Sequence, residues 1–326
     1  MDILKGNTKP WIFRRLLQMV IVLFGTSVLS FILTTLAPGD AVNKYAGPDV
    51  SEQRLEEIRR QYGLDQSVAV QYFRWLCMSV KGHLGYSITK HRSVAGILKE
   101  SIPETLKLSL AALIFNLMLG TIAGIIAGTR SNKISGRLIN TASIVLISIP
   151  VFWLALVCVY IFNLKLGWTP PLSFSSESLS FLEKLLRIAR VYGLPVLILG
   201  TAGAAATCRF VRENLMATLN QPYCVQARAA GLPESKVIIR YALRNALLPL
   251  ITQTGLILPF LLGGSFIIEV IFSIPGMGRI TYEAIFARDV SVILAVNMLS
   301  AVMVVLGSSI SDILYRVADP RITLKY

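Results

Sequence analysis

Charge is scarce in this chain: 15% of its 326 residues are Asp, Glu, Lys or Arg, against roughly 25% in a soluble domain. An ordinary water-soluble globule is thereby excluded. So is a nucleic-acid-binding protein, despite the net charge of +14, because a phosphate-gripping surface displays its Lys and Arg in solvated patches. Histidine is almost absent. His83 and His91 are the two present, they form no H-E-x-x-H, and with Cys77 and Met78 nearby they read more simply as solvated side chains than as a metal site. The cysteines Cys77, Cys158, Cys208 and Cys224 have no C-x-x-C spacing, so neither a zinc site nor a disulfide framework is supported. No glycine precedes a lysine anywhere. The phosphate-cradling loop G-x-x-x-x-G-K-[ST] is therefore missing, and the chain carries no ATPase of that kind. There is no G-x-S-x-G elbow.

What the chain does have is apolar length. Uncharged stretches run over Leu16–Leu36, Leu108–Thr129, Leu138–Leu164, Val191–Cys208, Ala246–Ile268 and Val290–Ser311. Each is 18 to 27 residues long, and about 20 helical residues cross a hydrocarbon core of roughly 30 Å. The pattern predicts an all-α polytopic membrane protein with six transmembrane helices. Reading the first run as a cleaved secretory signal is disfavoured, because its apolar core exceeds the roughly 7–15 residues of a signal.

Lys and Arg set the expected orientation. Six spans put both termini on one side, and that side, with residues 130–137 and 209–244, carries 16 basic residues and five acidic ones. The other side balances 16 basic with 13 acidic residues, most of the basic ones in one long connection where charge has little influence on topology. The expected order is a cytoplasmic N-terminus (1–15), a first transmembrane helix (16–36) and an extracytoplasmic helical insertion (37–107). A transmembrane core (108–317) containing a cytoplasmic loop (209–245) follows, then a cytoplasmic tail (318–326). Within the insertion, an Asp49-x-x-Glu52 capping box and the stop at Gly63 predict a helix over 49–63. A second amphipathic stretch, Val68–Met78, is expected to rest on the membrane surface, and residues 165–190 to form an irregular outer loop whose Trp168 suits an interfacial belt.

Intramembrane ionisable residues mark ion or substrate pathways, and none sits at the centre of a run. Glu269, one residue past the fifth run, is the nearest. It is read either as an interfacial carboxylate near the outer surface or as a possible pathway or gate residue. The lack of a charged relay argues against a proton-coupled secondary transporter, and the lack of a TVGYG-like filter against a channel.

The most informative stretch is cytoplasmic: Tyr223 to Leu232, then Tyr241 to Pro249. Small residues at Ala227, Ala229, Ala230 and Gly231 give a helix a low profile, and Pro233 turns the chain after it. This stretch resembles the coupling loop of ABC-importer permeases, specifically the dipeptide/oligopeptide/nickel permease family, whose motif Y-x-x-x-A-R-A-x-G-L…R-x-A-L-R-N-A-L-L-P is matched from Tyr223 to Pro249. The resemblance extends over nearly the whole chain. It includes Leu36-Ala37-Pro38-Gly39-Asp40, Tyr62-Gly63-Leu64-Asp65, Gln71-Tyr72-x-x-Trp75 and Pro103-x-Thr105-Leu106. Ser148-Ile149-Pro150-x-Phe152-Trp153-Leu154, Gly167-Trp168-x-Pro170, Pro275-Gly276-x-Gly278, Arg288-Asp289 and Asp319-Pro320-Arg321-Ile322 complete it. The E-A-A of the wider importer motif is absent, its Glu position falling at Val225. His83 replaces the family's usual Asp, and Ser291 a common Pro.

The resemblance implies a type I ABC importer permease fold and one permease half of an ATP-driven importer of peptides or related small solutes. It implies as partners a second homologous permease subunit, two ATPase subunits, an extracytoplasmic solute-binding protein and membrane lipid, with no nucleic acid. No cofactor is expected on this chain, ATP and Mg belonging to the ATPase subunits, so the chain itself is not an enzyme. Ala227, Arg228, Ala229, Gly231 and Leu232 are implied as the ATPase-coupling residues, with Arg228 pairing acidic groups of the ATPase groove, and the location is the cell (inner) membrane. A nickel or metal-chelate permease is the alternative within the family, and a stand-alone secondary transporter or channel the alternative outside it.

Overall fold

The structure is a computed structural model that describes residues 8–36, 53, 56, 57, 60, 65–87, 89–168 and 180–318. In chain order its elements are α1 (Thr8–Leu36), α2 (Val68–Val80), the strands β1 (Tyr86–Ser87) and β2 (Arg92–Ser93), α3 (Val94–Thr129), α4 (Ile134–Ser148) and α5 (Val151–Cys158). Then come α6 (Phe181–Leu219), α7 (Pro222–Ala229), α8 (Glu234–Lys236), α9 (Arg244–Ile271), α10 (Met277–Ala287) and α11 (Val290–Ala318). Wider π-helical turns at Val159–Lys165 and Val237–Leu243 continue α5 and join α8 to α9. In the expected helix over 49–63, Gln53, Glu56, Glu57 and Arg60 are helical and the other positions lie outside the described residues, as do the motif residues 37–40 and 319–322.

Among the described residues, four helical segments are each long and apolar enough to cross a membrane: Phe13–Leu36, Val94–Thr129, Ile188–Leu219 and Val290–Ile313. The run Leu138–Leu164, expected as one span, is the pair α4 and α5, the latter continued to Lys165, bent by 93°. Proline causes the break. Pro150 has no N–H to donate and clashes with helical backbone before it, and Ile149 accordingly takes extended angles, φ −84 and ψ 122. The remaining run, Ala246–Ile268, lies on the 28-residue α9, where the side chains of 251–264 fall outside the description.

The outer loop is shorter than expected. Residues 169–179 are outside the described residues, but α6 already begins at Phe181 behind a complete capping box: the Ser180 N–H donates to Glu183 Oε2 at 2.8 Å and the Glu183 N–H to Ser180 Oγ at 3.4 Å. These bonds satisfy two terminal donors, and the Ser180 hydroxyl, donating to Glu183 Oε2 at 2.8 Å, together with the Ser180 N–H holds the Glu183 carboxyl below its ordinary pKa. Ser180-x-x-Glu183 was readable as a start signal for Phe181–Arg190.

The structure divides into two compact units. In the first, built from residues up to Thr105 and from Pro275 to Leu306, Val94, Ile97 and Leu98 of α3 pack with Met277, Ile280 and Ala284 of α10 and Val292, Ala295 and Val296 of α11. Residues 94–107 thus extend α3 ahead of the expected span, and at about 1.5 Å per residue the 36-residue helix is longer than a bilayer core. The stretch expected to rest on the membrane surface packs one face on α1. Tyr72 of α2 is buried edge-on against Phe31, ring centroids 5.4 Å apart, and its hydroxyl lies 2.8 Å from Ser27 Oγ. Phe73 and Val80 stay exposed, leaving only the other face of α2 for lipid.

Asp289 organises the start of α11. It is buried, Oδ1 accepts the Val292 N–H at 3.3 Å as an N-cap, and Oδ2 accepts from Ser87 Oγ at 2.5 Å and Thr89 Oγ1 at 2.8 Å. One carboxylate therefore ties the β1–β2 hairpin to a helix start. Asp289→Ala removes a cap, typically about 1 kcal/mol, and strips the buried Ser87 hydroxyl of its acceptor, about 1–3 kcal/mol. The expected outcome is a fall in the thermal unfolding midpoint of the detergent-solubilised protein, smaller for Asp289→Asn, which keeps an acceptor. An unchanged midpoint for Asp289→Ala would contradict this account.

In the second unit, α3 and α6 meet through small residues. Gly120 and Gly124 of α3 lie against Ala204, Thr207, Cys208 and Val211 of α6, and the buried Asn116 side chain accepts a hydrogen bond from Thr207 Oγ1 at 2.7 Å. Without a hydrophobic drive between helices in lipid, close backbone approach and interhelical hydrogen bonds hold such a pair. Around it pack Leu108, Ala112, Leu113, Ala155, Ile198, Leu199, Ile268 and Ile274.

Candidate coupling surface

Helix α6 runs without interruption to Leu219, so the first residues of the expected cytoplasmic loop prolong a spanning helix. The chain then turns at Asn220-Gln221, and Pro222 opens α7 at a first-turn position where its missing N–H costs nothing. At the other end, Leu232 N–H donates to Ala227 O and Gly231 N–H to Arg228 O. This is a Schellman closure. It requires Gly231 at φ +79, a left-handed conformation that costs a residue with a Cβ roughly 1–2 kcal/mol. Pro233 then leads into α8.

The two faces of α7 differ. Cys224 and Ala227, three residues apart on one face, are buried with Leu215, Val237, Ala242 and Ala246, and Leu232 packs against the same cluster. Burial pushes the Cys224 thiol above its ordinary pKa. The opposite face exposes Val225, Gln226, Ala229, Ala230 and Gly231. Val225 is 53% exposed, and Ile239 on the following π turn 67%; nothing in the described chain covers either. Tyr223, also exposed, accepts a hydrogen bond from Asn245 Nδ2 at 3.2 Å.

The residues singled out from the sequence therefore separate. Ala229 and Gly231 lie on the open face. Ala227 and Leu232 face the chain's own core, because the i, i+3 pattern Cys224/Ala227 supplies the buried stripe of so short a helix. Arg228, expected to reach a partner's acidic groups, is engaged internally. Its Nε and Nη2 form a bidentate pair with Glu234 at 2.9 and 2.8 Å, and Nη1 donates to the Leu219 carbonyl at 3.0 Å. The hydrogen bond to Arg228 holds the Glu234 carboxyl below its usual range, and the bond to Glu234 raises the Arg228 pKa in turn. Val225 and Ile239 were not singled out. Apolar residues out of phase with the buried stripe were the available signal.

Glu269 is placed inside the protein, not at an interface with solvent. Its side chain is fully buried beside Ile268, and Oε1 accepts a hydrogen bond from Ser265 Oγ at 2.9 Å, one turn back on α9.

The chain is similar to known proteins. The family described as "Binding-protein-dependent transport system inner membrane component" matches residues 120–324, and its N-terminal companion, "Binding-prot-dependent transport system membrane comp, N-term", matches residues 9–110. The oligopeptide transport system permease protein AppB of Bacillus subtilis (strain 168) is 37% identical over 96% of this chain and 98% of its own. The glutathione transport system permease protein GsiC of Escherichia coli (strain K12) is 34% identical over 97% and 99%. Among solved structures, an inward-facing conformation of the MetNI methionine ABC transporter superposes with a TM-score of 0.54 at 19% identity, covering 68% of this chain and 96% of that one. An amino acid ABC transporter crystallised with histidines gives 0.54 at 16% identity, covering 68% and 94%. At those identities the likeness is one of fold.

Proposed function

Because the chain belongs to the family of binding-protein-dependent transport system inner membrane components and is a permease subunit of an ABC importer, we propose that its cargo is a short peptide or peptide-like solute. The observation carrying this is full-length similarity, at 34–37% identity, to permeases named for oligopeptide and glutathione transport. The chemistry of the spans agrees in the main: their uncharged runs offer chiefly Ser, Thr and Asn side chains, which suit zwitterionic cargo, whereas a bare cation favours carboxylate, imidazole or thiolate ligands, of which the runs hold the two thiols Cys158 and Cys208.

In this reading the chain forms half of a pathway completed by a second homologous permease. An extracytoplasmic binding protein delivers cargo, and two ATPase subunits, which bind ATP and Mg, supply the energy. Both termini and residues 209–245 lie on the cytoplasmic side, supported by the excess of basic over acidic residues there. The open face of α7, centred on Ala229 and Gly231 with Val225 and Ile239 at its edges, docks in a groove of an ATPase subunit. Closure of the ATPases then moves the spans by rigid-body rocking between outward- and inward-open states. Glu269, buried on α9, serves as a gate residue if that rocking exposes it.

The test is reconstitution of the complete complex with its binding protein in proteoliposomes. ATP-dependent uptake of labelled di- to pentapeptides is expected, and none is expected from this chain alone. Uptake of nickel without any peptide would overturn the cargo assignment, and ATP-independent uptake by the isolated chain would overturn the importer mechanism.

A further inference from the structure

Arg228 joins three pieces of chain, the end of α6, α7 and the start of α8, through polar contacts of one side chain. Leu219 is the last residue of α6, and its carbonyl is among the helix-terminal acceptors that no intrahelical N–H can reach. Arg228 Nη1 fills that acceptor at 3.0 Å, placing a positive charge at the negative end of the α6 dipole. The other edge of the same guanidinium holds both oxygens of Glu234, the first residue of α8, at 2.8 and 2.9 Å. Arg228 itself sits in the last turn of α7. A planar group with donors on two edges fixes direction as well as distance.

We propose that Arg228 is a positioning residue, a rigid tie between the docking helix α7 and the end of the spanning helix α6, braced from behind by Glu234, and not a contact to the ATPase. The proposal deepens the coupling role assigned above and rests on it. Without the tie, α7 stays attached to α6 through the two-residue turn Asn220-Gln221 and the apolar cluster around Cys224 and Ala227, and to α9 through the Tyr223–Asn245 hydrogen bond. A force on α7 would then tilt α7 before it moved α6. The ATPases would still grip, but their stroke would be partly absorbed in the connection.

The experiment uses the full complex in proteoliposomes and measures three quantities: ATPase subunits retained after purification, ATP hydrolysis, and peptide uptake. For Arg228→Ala the expected result is full retention with a rise of about three- to ten-fold in ATP consumed per peptide delivered, a modest effect because the Arg228–Glu234 pair is partly exposed. Glu234→Gln is expected to change the same ratio in the same direction, less strongly. The exchange Arg228→Glu with Glu234→Arg is expected to recover part of the loss relative to Arg228→Glu alone, because it restores the pair but not the bond to Leu219. Purely local destabilisation would instead lower retention and leave the ratio of assembled complexes unchanged.

Loss of the ATPases from Arg228→Ala with wild-type behaviour of Glu234→Gln would place Arg228 in the partner interface and overturn the proposal. A wild-type ratio in both variants would overturn it equally. Ala229→Trp separates this from the underlying reading: if it leaves binding and coupling intact, the docking assignment itself fails, whatever Arg228 does.

Discussion

Gly124→Leu is expected to leave no correctly packed protein. A Cβ at position 124 would lie 2.7 Å from the backbone oxygen of Cys208 and 2.7 Å from Val211 Cβ. Neither atom can swing aside, since one is main chain and the other is fixed to it. Even Gly124→Ala must push α6 away from α3, and overpacking of this kind costs about 1–3 kcal/mol, against roughly 0.5–1 kcal/mol gained by replacing a helical glycine. A leucine forces the helices apart by more, which breaks the bond between Thr207 and Asn116 and leaves its groups unpaired in an apolar surrounding. Gly193, on the same α6, provides the control. A Cβ there meets nothing within 4 Å, so Gly193→Ala is expected to match or exceed the wild-type thermal midpoint. The measurement is the yield of monodisperse protein and its unfolding midpoint in detergent; a wild-type midpoint for Gly124→Leu would refute the α3–α6 contact.

That contact was half visible before the structure. Gly120, Gly124 and Gly128 recur every four residues in an apolar run, the small-x-x-x-small spacing of a close helix pair, yet spacing names a face and not its partner, and the partner α6 lies some eighty positions away. The spans themselves were legible because lipid imposes one rule on all of them: length without charge. The break at Pro150 was legible in principle and hidden by the same rule, since the run around it carries no charge on either side. Asp289 could be seen as part of a motif. Its role could not, because its partners Ser87 and Thr89 sit some two hundred residues earlier.

The coupling segment shows a finer division. Small residues, a glycine and a proline in sequence marked residues 222–233 as a docking shape, and the Schellman closure at Gly231 accords with it. Which small residues face outward depended on the inner cluster. Ala227 and Ala229 differ by two positions, opposite sides of a short helix, and only the packing of Leu215, Val237, Ala242 and Ala246 against the former separates them. Arg228 read as a partner contact because an exposed arginine in a docking helix invites an acidic mate, and Glu234, six residues on, had no regular spacing to announce itself.

The central claim is that the open face of α7 transmits the work of ATP hydrolysis, and bulky substitution on that face tests it most directly. Ala229 is exposed and helical, so Ala229→Trp adds volume without backbone strain. Gly231→Trp adds it where nothing lies within 4 Å of a Cβ but where φ is +79, and Gly231→Asn, tolerant of that angle, controls for the strain. Peptide-stimulated ATP hydrolysis and peptide uptake are measured together in complexes whose subunit content is verified. The account predicts that both tryptophan variants insert normally but release the ATPases or lose uptake by about tenfold or more, equivalent to at least roughly 1.4 kcal/mol of lost coupling, while Gly231→Asn retains most of both activities. Wild-type hydrolysis and uptake in fully assembled Ala229→Trp and Gly231→Trp complexes would contradict it.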